Sequence, residues 1–146
     1  MPLDLTLRVA AAAPAGQTAQ FLRRAEDAGF VGVGIPDTQL IMRDVFVTLA
    51  LAAGRTSNLT LQTAVTNPVT RHLSVLGSLI QTVEELAPGR LRIIIGTGYS
   101  AVKTIGQRPA TIDQMRETVI TLRTLLSGQS LNIGGFEAHM PYASGR

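Results

Sequence analysis

From Leu3 to Ala10 the chain alternates apolar Leu3, Leu5, Leu7 and Val9 with polar Asp4, Thr6 and Arg8, the period-2 signature of a strand. The period then lengthens. Between Gln17 and Ala28, Phe21, Leu22, Ala25 and Ala28 recur at helical spacing, with Arg23, Arg24, Glu26 and Asp27 mostly opposite and Gly29 placed as a stop. Val31 to Ile35 reads as a short apolar strand closed by Pro36 and Asp37, and Asp44 is placed to cap a helix over Val45 to Ala53 that Gly54 ends. Leu59 to Val65 is the third predicted strand. Leu73 to Leu86 is the third helix, with Leu76, Leu79, Ile80, Val83 and Leu86 on one face. Pro88-Gly89 forces a turn before Leu91 to Ile95, a nearly pure apolar run of the kind found in strands covered on both faces.

A further helix is predicted over Thr111 to Leu126, where Thr111 and Gln114 have capping-box spacing and Met115, Val119, Leu122, Leu125 and Leu126 form the apolar stripe. Leu131 to Ile133 and Phe136 to Met140, separated by Gly134-Gly135, suggest a small hairpin. Strand starts near residues 3, 31, 59 and 91 give a repeat of the size of a βα unit. Four such units in succession predict an α/β fold with parallel strands, a partial (β/α)8 TIM barrel. A complete barrel takes about 250 residues, so residues 1–146 read as half of one. On this reading the tail from Pro141 to Arg146 leads toward a fifth strand that is not in the sequence.

Composition narrows the function classes. With 45% hydrophobic and 16% charged residues, a disordered chain is excluded. There is no cysteine, which excludes disulfides, thiolate catalysis and Cys-based metal sites and suits a reducing cytoplasm. The net charge of +3 is carried by scattered arginines with Lys103 as the one lysine, and aromatics make up 4%; nucleic-acid binding would call for a clustered basic stripe with interleaved aromatics. Asp4 and Arg8 break the apolar start, so neither a signal peptide nor a membrane helix is predicted.

Candidate chemistry lies in the loops that follow strands, where parallel α/β sheets and barrels place ligands. Ala64, Val65, Thr66 and Asn67 either form a wall against a flat cofactor ring, with Thr66 and Asn67 as hydrogen-bonding groups, or make an ordinary strand exit with an Asn-Pro turn. Gly96-Thr97-Gly98 permits close backbone approach to a ligand, but the third glycine of the dinucleotide fingerprint is missing and there is no phosphate-loop lysine. Asp37 either orients a cofactor or substrate or caps a turn. His72, beside Arg71, is a helix-start residue that can cap or titrate, and His139 has less support. No catalytic residue and no metal site is assigned.

Four segments, FLRRAEDAGFVGVGIPDTQ, LQTAVTNPVTRH, LAPGRLRIIIGTGYSAVKTIG and RPATIDQMRETVITLRTLLSG, resemble in order and spacing the bacterial-luciferase-like flavin and F420-dependent oxidoreductases, in particular the methylenetetrahydromethanopterin-reductase-like branch. The resemblance spans roughly Gln17 to Arg146. It implies a (β/α)8 barrel holding F420 or FMN at the C-terminal ends of its strands, a cis peptide joining Ala64 and Val65 behind the cofactor ring, and cofactor contacts from Gly96, Thr97 and Gly98 with polar groups near Asp37. It further implies hydride transfer at the ring, with oxygen insertion in FMN members, and a small-molecule substrate. Tyr99 stands where many reductase-like members carry an acidic residue, and Leu73 where proline is usual, so F420 and FMN both stay open. The reading is an oxidoreductase fragment. The alternative is a non-catalytic half-barrel that self-associates into a homo-oligomer, for which exposed apolar edges on strands one and four are expected. Neither nucleic acid nor membrane is an expected partner.

Overall fold

The computed structural model describes residues 3–145; Met1, Pro2 and Arg146 lie outside it. Four βα units follow one another: β1 Thr6–Arg8 and α1 Ala15–Asp27, β2 Gly32–Ile35 and α2 Val45–Ala53, β3 Thr60–Thr63 and α3 Leu73–Leu86, then β4 Leu91–Arg92 followed by the short α4 Ser100–Lys103 and by α5 Ile112–Leu126. An antiparallel hairpin, β5 Leu131–Ile133 with β6 Phe136–Ala138, comes last. The four strands form one parallel sheet in the order β1-β2-β3-β4, which makes β1 and β4 its outer strands.

Register decides which side chains meet the helices. Leu7, Val33, Leu61 and Leu91 lie in one row across the sheet, and Val33 and Leu61 are fully buried on the helix side. There they join Leu22, Phe46, Leu49, Leu76 and Ile80 in one core. The neighbouring row, Arg8, Gly34, Gln62 and Arg92, points the other way because successive strand side chains alternate faces. That second face is polar and partly open to solvent.

Several elements differ from the sequence expectation for stated reasons. Leu91 to Ile95 is not covered on both faces: β4 is an outer strand and Ile94 is 42% exposed. Its regular ladder stops at Arg92 because the Thr63 hydroxyl intervenes, accepting from the Ile94 N–H at 2.9 Å and donating to the Ile94 carbonyl at 2.8 Å. Pairing resumes as a bridge between Thr66 and Ile95. The Ala64–Val65 peptide bond between these two ladders is cis, where the resemblance places one. Strand β3 ends at Thr63 instead of Val65.

The helix termini follow their sequence signals. Asp44 caps α2 by accepting from the N–H groups of Phe46 and Val47. Thr111 and Gln114 form a reciprocal capping box at the start of α5. The buried stripe of α5, however, is Thr118, Thr121, Leu122 and Leu125, rotated from the predicted one so that Val119 is 42% exposed. On α1, Phe21 is likewise 40% exposed. Gln81 sits among the buried residues of α3 because the chain's tail covers it, the Ser144 N–H donating to its side-chain oxygen. No helix among the described residues is long and apolar enough to cross a membrane.

Candidate cofactor-facing site

The exits of β2, β3 and β4 converge at the C-terminal end of the sheet. Asp37, two residues past β2, is buried. Both its oxygens bind the Arg71 guanidinium: Nη1 pairs with Oδ2, and Nη2 donates to Oδ1 at 3.1 Å. The Thr66 hydroxyl donates to the same Oδ2 at 2.7 Å. Arg71 also reaches Asp44 Oδ2 at 2.6 Å and lies 5.4 Å from the centre of the buried Phe46 ring, a cation–π arrangement. One guanidinium thus ties together the exits of β2 and β3 and the N-cap of α2.

The electrostatics follow from that geometry. Burial pushes the Arg71 guanidinium toward losing its proton, but the hydrogen bonds and charges of Asp37 and then Asp44 outweigh it and hold the group more basic than usual. Burial likewise raises Asp44, and the Val47 N–H and Arg71 overcompensate, leaving its carboxyl below the ordinary aspartate range.

Asp37 therefore faces Arg71 and Thr66, organising the loop. Thr66 is fully buried, with its hydroxyl committed to Asp37. Asn67, 1% exposed, accepts from the N–H groups of Val69 and Thr70 at 3.0 Å each, an Asx turn. The side-chain oxygens of both residues thus bond within the chain.

Ala64 and Val65 meet the β4 exit directly. A Cβ at Gly96 would sit 2.8 Å from Val65 Cγ2, and a Cβ at Gly98, whose φ is +90°, would sit 2.7 Å from Val102 Cγ1 and 3.4 Å from Asn67 Cβ. Gly96 is required by close packing between the two loops, and Gly98 by its positive φ and the close approach of Val102 from α4. The outcome is a small apolar platform: Val65, 42% exposed, rests on Gly96 with the exposed Thr97 alongside. Thr97 contributes its carbonyl to the Ala110 N–H at 2.8 Å, anchoring the loop to the start of α5.

Sequence reasoning missed three participants. Thr38 and Ser100 bring their hydroxyls to 3.3 Å, and Gln39 donates to the Ala101 carbonyl, so the β2 exit is tied to α4. Gln39 Oε1 and Thr70 Oγ1 are buried without a hydrogen-bond partner; nothing in their local sequence marks them. His72 is exposed and caps α3 through Nδ1, which accepts from the Ser74 N–H. A cavity of about 350 Å³ beside it is lined by Arg71, Leu73, Gln114, Glu117 and Ile133, among others, and not by Val65.

Helices on one face of a four-stranded parallel sheet, with the exits of β2, β3 and β4 gathered at the strands' C-terminal ends, define part of a barrel-type α/β scaffold. The family model for luciferase-like monooxygenases matches residues 4–143, and the chain belongs to that family. Among curated proteins it is similar to 5,10-methylenetetrahydromethanopterin reductase of Methanolobus tindarius, 31% identical over 126 residues, which cover 84% of this chain and 38% of that protein. It is also similar to the F420-dependent hydroxymycolic acid dehydrogenase of Mycobacterium tuberculosis, 30% identical over 96 residues, covering 62% of this chain and 27% of that one. The chain thus spans well under half the length of the curated relatives it matches.

Two solved structures share the fold. The coenzyme F420-dependent tetrahydromethanopterin reductase from Methanopyrus kandleri superposes with a TM-score of 0.80 at 21% identity, covering 97% of this chain and 46% of that one. The oxygenating constituent of 3,6-diketocamphane monooxygenase from Pseudomonas putida, in complex with FMN, gives 0.77 at 18% identity, covering 94% and 43%.

Proposed function

We propose that this chain supplies the wall of a flavin- or F420-dependent oxidoreductase site against which the cofactor ring rests. The observation that carries the reading is the Val65–Gly96 platform, exposed at the C-terminal end of the sheet and locked from behind by Thr66, Asp37 and Arg71. A flat, largely apolar ring system suits such a surface, and the buried unpartnered oxygens of Gln39 and Thr70 are two acceptors in the loops at this end that a ligand's polar groups could satisfy. Either cofactor, when bound, supplies hydride transfer at its ring. The chain's own part is positional: Ala64 and Val65 present the contact face, and Gly96 and Gly98 bring the second loop against it. Asp37, Thr66 and Asn67 hold the first loop in shape.

The reading concerns a cofactor-binding wall, since the matched relatives are more than twice this chain's length. Titration of the purified chain with F420 and, separately, with FMN, followed by cofactor fluorescence, tests it. Saturable micromolar binding of one of them is the expected result; no binding of either contradicts it.

A further inference from the structure

We propose that the outer face of α1, together with Arg55 at the end of α2, is a binding site for a small ligand that carries several linked phosphate groups. The proposal concerns a second site and stands independently of the cofactor reading.

The residues concerned are scattered in sequence, and the fold gathers them. Gln17, Gln20 and Arg24 are spaced three and four residues apart on α1, so they share one helix face, with Arg23 beside them. That face lies opposite the buried one formed by Thr18, Ala19, Leu22 and Ala25. Arg55, two residues past α2, reaches the same place. The five side chains line a cavity of about 690 Å³, within the size range of small-ligand sites. Strands added beside β1 or β4 extend the sheet, which lies beneath the buried face of α1, and do not reach the outer one.

The lining consists of donors. Each guanidinium offers five N–H groups and each glutamine amide two, and no carboxylate lines the cavity. The acidic neighbours are already engaged. Glu26 and Asp27 both pair with Arg23, at 3.0 and 2.7 Å, and Glu26 also accepts from the N–H groups of Ser57, Asn58 and Leu59. Neither Arg24 nor Arg55 has an ion-pair partner among the described residues. Both are nonetheless oriented. The Arg24 guanidinium stands 5.7 Å from the centre of the Phe21 ring, a cation–π arrangement, and Arg55 Nη1 donates to the Leu51 carbonyl at 3.3 Å. Guanidinium forks with N–H groups to spare suit phosphate oxygens, which they bind through paired hydrogen bonds. Two such forks favour a chain of linked phosphates over a single anion, because the second contact forms within one molecule.

The test is titration of the full chain with inorganic tripolyphosphate and, separately, with sulfate. Calorimetry is run in about 0.15 M salt, where exposed charges more than about 8 Å apart are largely screened. Wild type is compared with Arg24→Gln, Arg55→Gln and Arg116→Gln, the last on α5 with 69% of its side chain exposed. Circular dichroism checks that each variant keeps its fold. The expected result is saturable one-to-one binding of tripolyphosphate, at least about tenfold tighter than sulfate. Arg24→Gln and Arg55→Gln each weaken it about tenfold, the size of a lost hydrogen bond to a charged group, and Arg116→Gln leaves it unchanged. No saturable binding, equal affinity for the two anions, or a loss as large in Arg116→Gln as in the other two variants overturns the proposal.

Discussion

The Arg71 guanidinium closes on both carboxylate oxygens of Asp37, across 34 residues of sequence. The pair is the clasp of the whole sheet end. Asp37 carries only 2% and Arg71 13% of their side-chain surfaces exposed, so the carboxylate has almost no water to fall back on. Breaking such a pair from one side strands the other charge, which costs about 3–5 kcal/mol when burial is complete. Arg71→Met is expected to lower unfolding stability by about 3 kcal/mol, read from urea denaturation. Arg71→Lys loses the bidentate fork but keeps the charge, and should fall between the two. A change within about 0.5 kcal/mol for Arg71→Met, the size of an ordinary surface substitution, contradicts the clasp.

Glu26 predicts the acid limb of stability. Burial raises its carboxyl, but the N–H groups of Asn58, Leu59 and Ser57, with Arg23 beside them, outweigh that and hold it below its ordinary value of 4.5. Because the folded-state value is the lower one, the unfolded chain takes up the proton first. The stabilisation is complete above pH 4.5 and is lost as pH falls through the lowered value. Asp44 adds a term of the same sign at somewhat lower pH. Urea midpoints measured from about pH 6 down to about pH 3 should show Glu26→Gln costing about 1–2 kcal/mol at the upper end, with the gap to wild type narrowing toward the lower end. A gap that stays constant across the range would count against this assignment.

The Val65–Gly96 contact can be probed as a pair. Gly96→Ala places a Cβ 2.8 Å from Val65 Cγ2, an overlap that costs about 1–3 kcal/mol. Val65→Ala removes the clashing methyls, so the double variant should recover at least about 0.5 kcal/mol relative to the sum of the singles. Strict additivity in a double-mutant cycle would show that the two loops do not press on each other.

Local features of this fold were legible in the sequence. The capping box of Thr111 and Gln114 and the Asp44 cap each depend on neighbours a few residues away, and each forms; of the period-2 run from Leu3 to Ala10, Thr6–Arg8 pairs as strand β1. The sites that depend on distant partners were not. Asp37 looked equally like a turn cap or a ligand group until Arg71 arrived from the β3 exit. Gly96 and Gly98 suggested a loop open to a ligand, whereas the space their missing side chains leave is filled by Val65, Val102 and Asn67. The apolar run from Leu91 to Ile95 carries no sign that the Thr63 hydroxyl interrupts its ladder, nor that Ile94 faces outward. On α5, helical spacing permits two adjacent stripes, and packing against α3 selected the one that leaves Val119 exposed.

The central claim, that Ala64–Val65, held in shape by Thr66 and Asn67, and Gly96–Gly98 form one cofactor-facing surface, is tested most directly by amide chemical-shift mapping. The isotope-labelled chain would be titrated with F420 and, separately, with FMN. The account predicts that one of them shifts Val65, Gly96, Thr97 and Gly98 together, with smaller changes relayed to Thr66 and Arg71. Shifts confined to the groove between α2 and α3, or no shifts with either cofactor, contradict it.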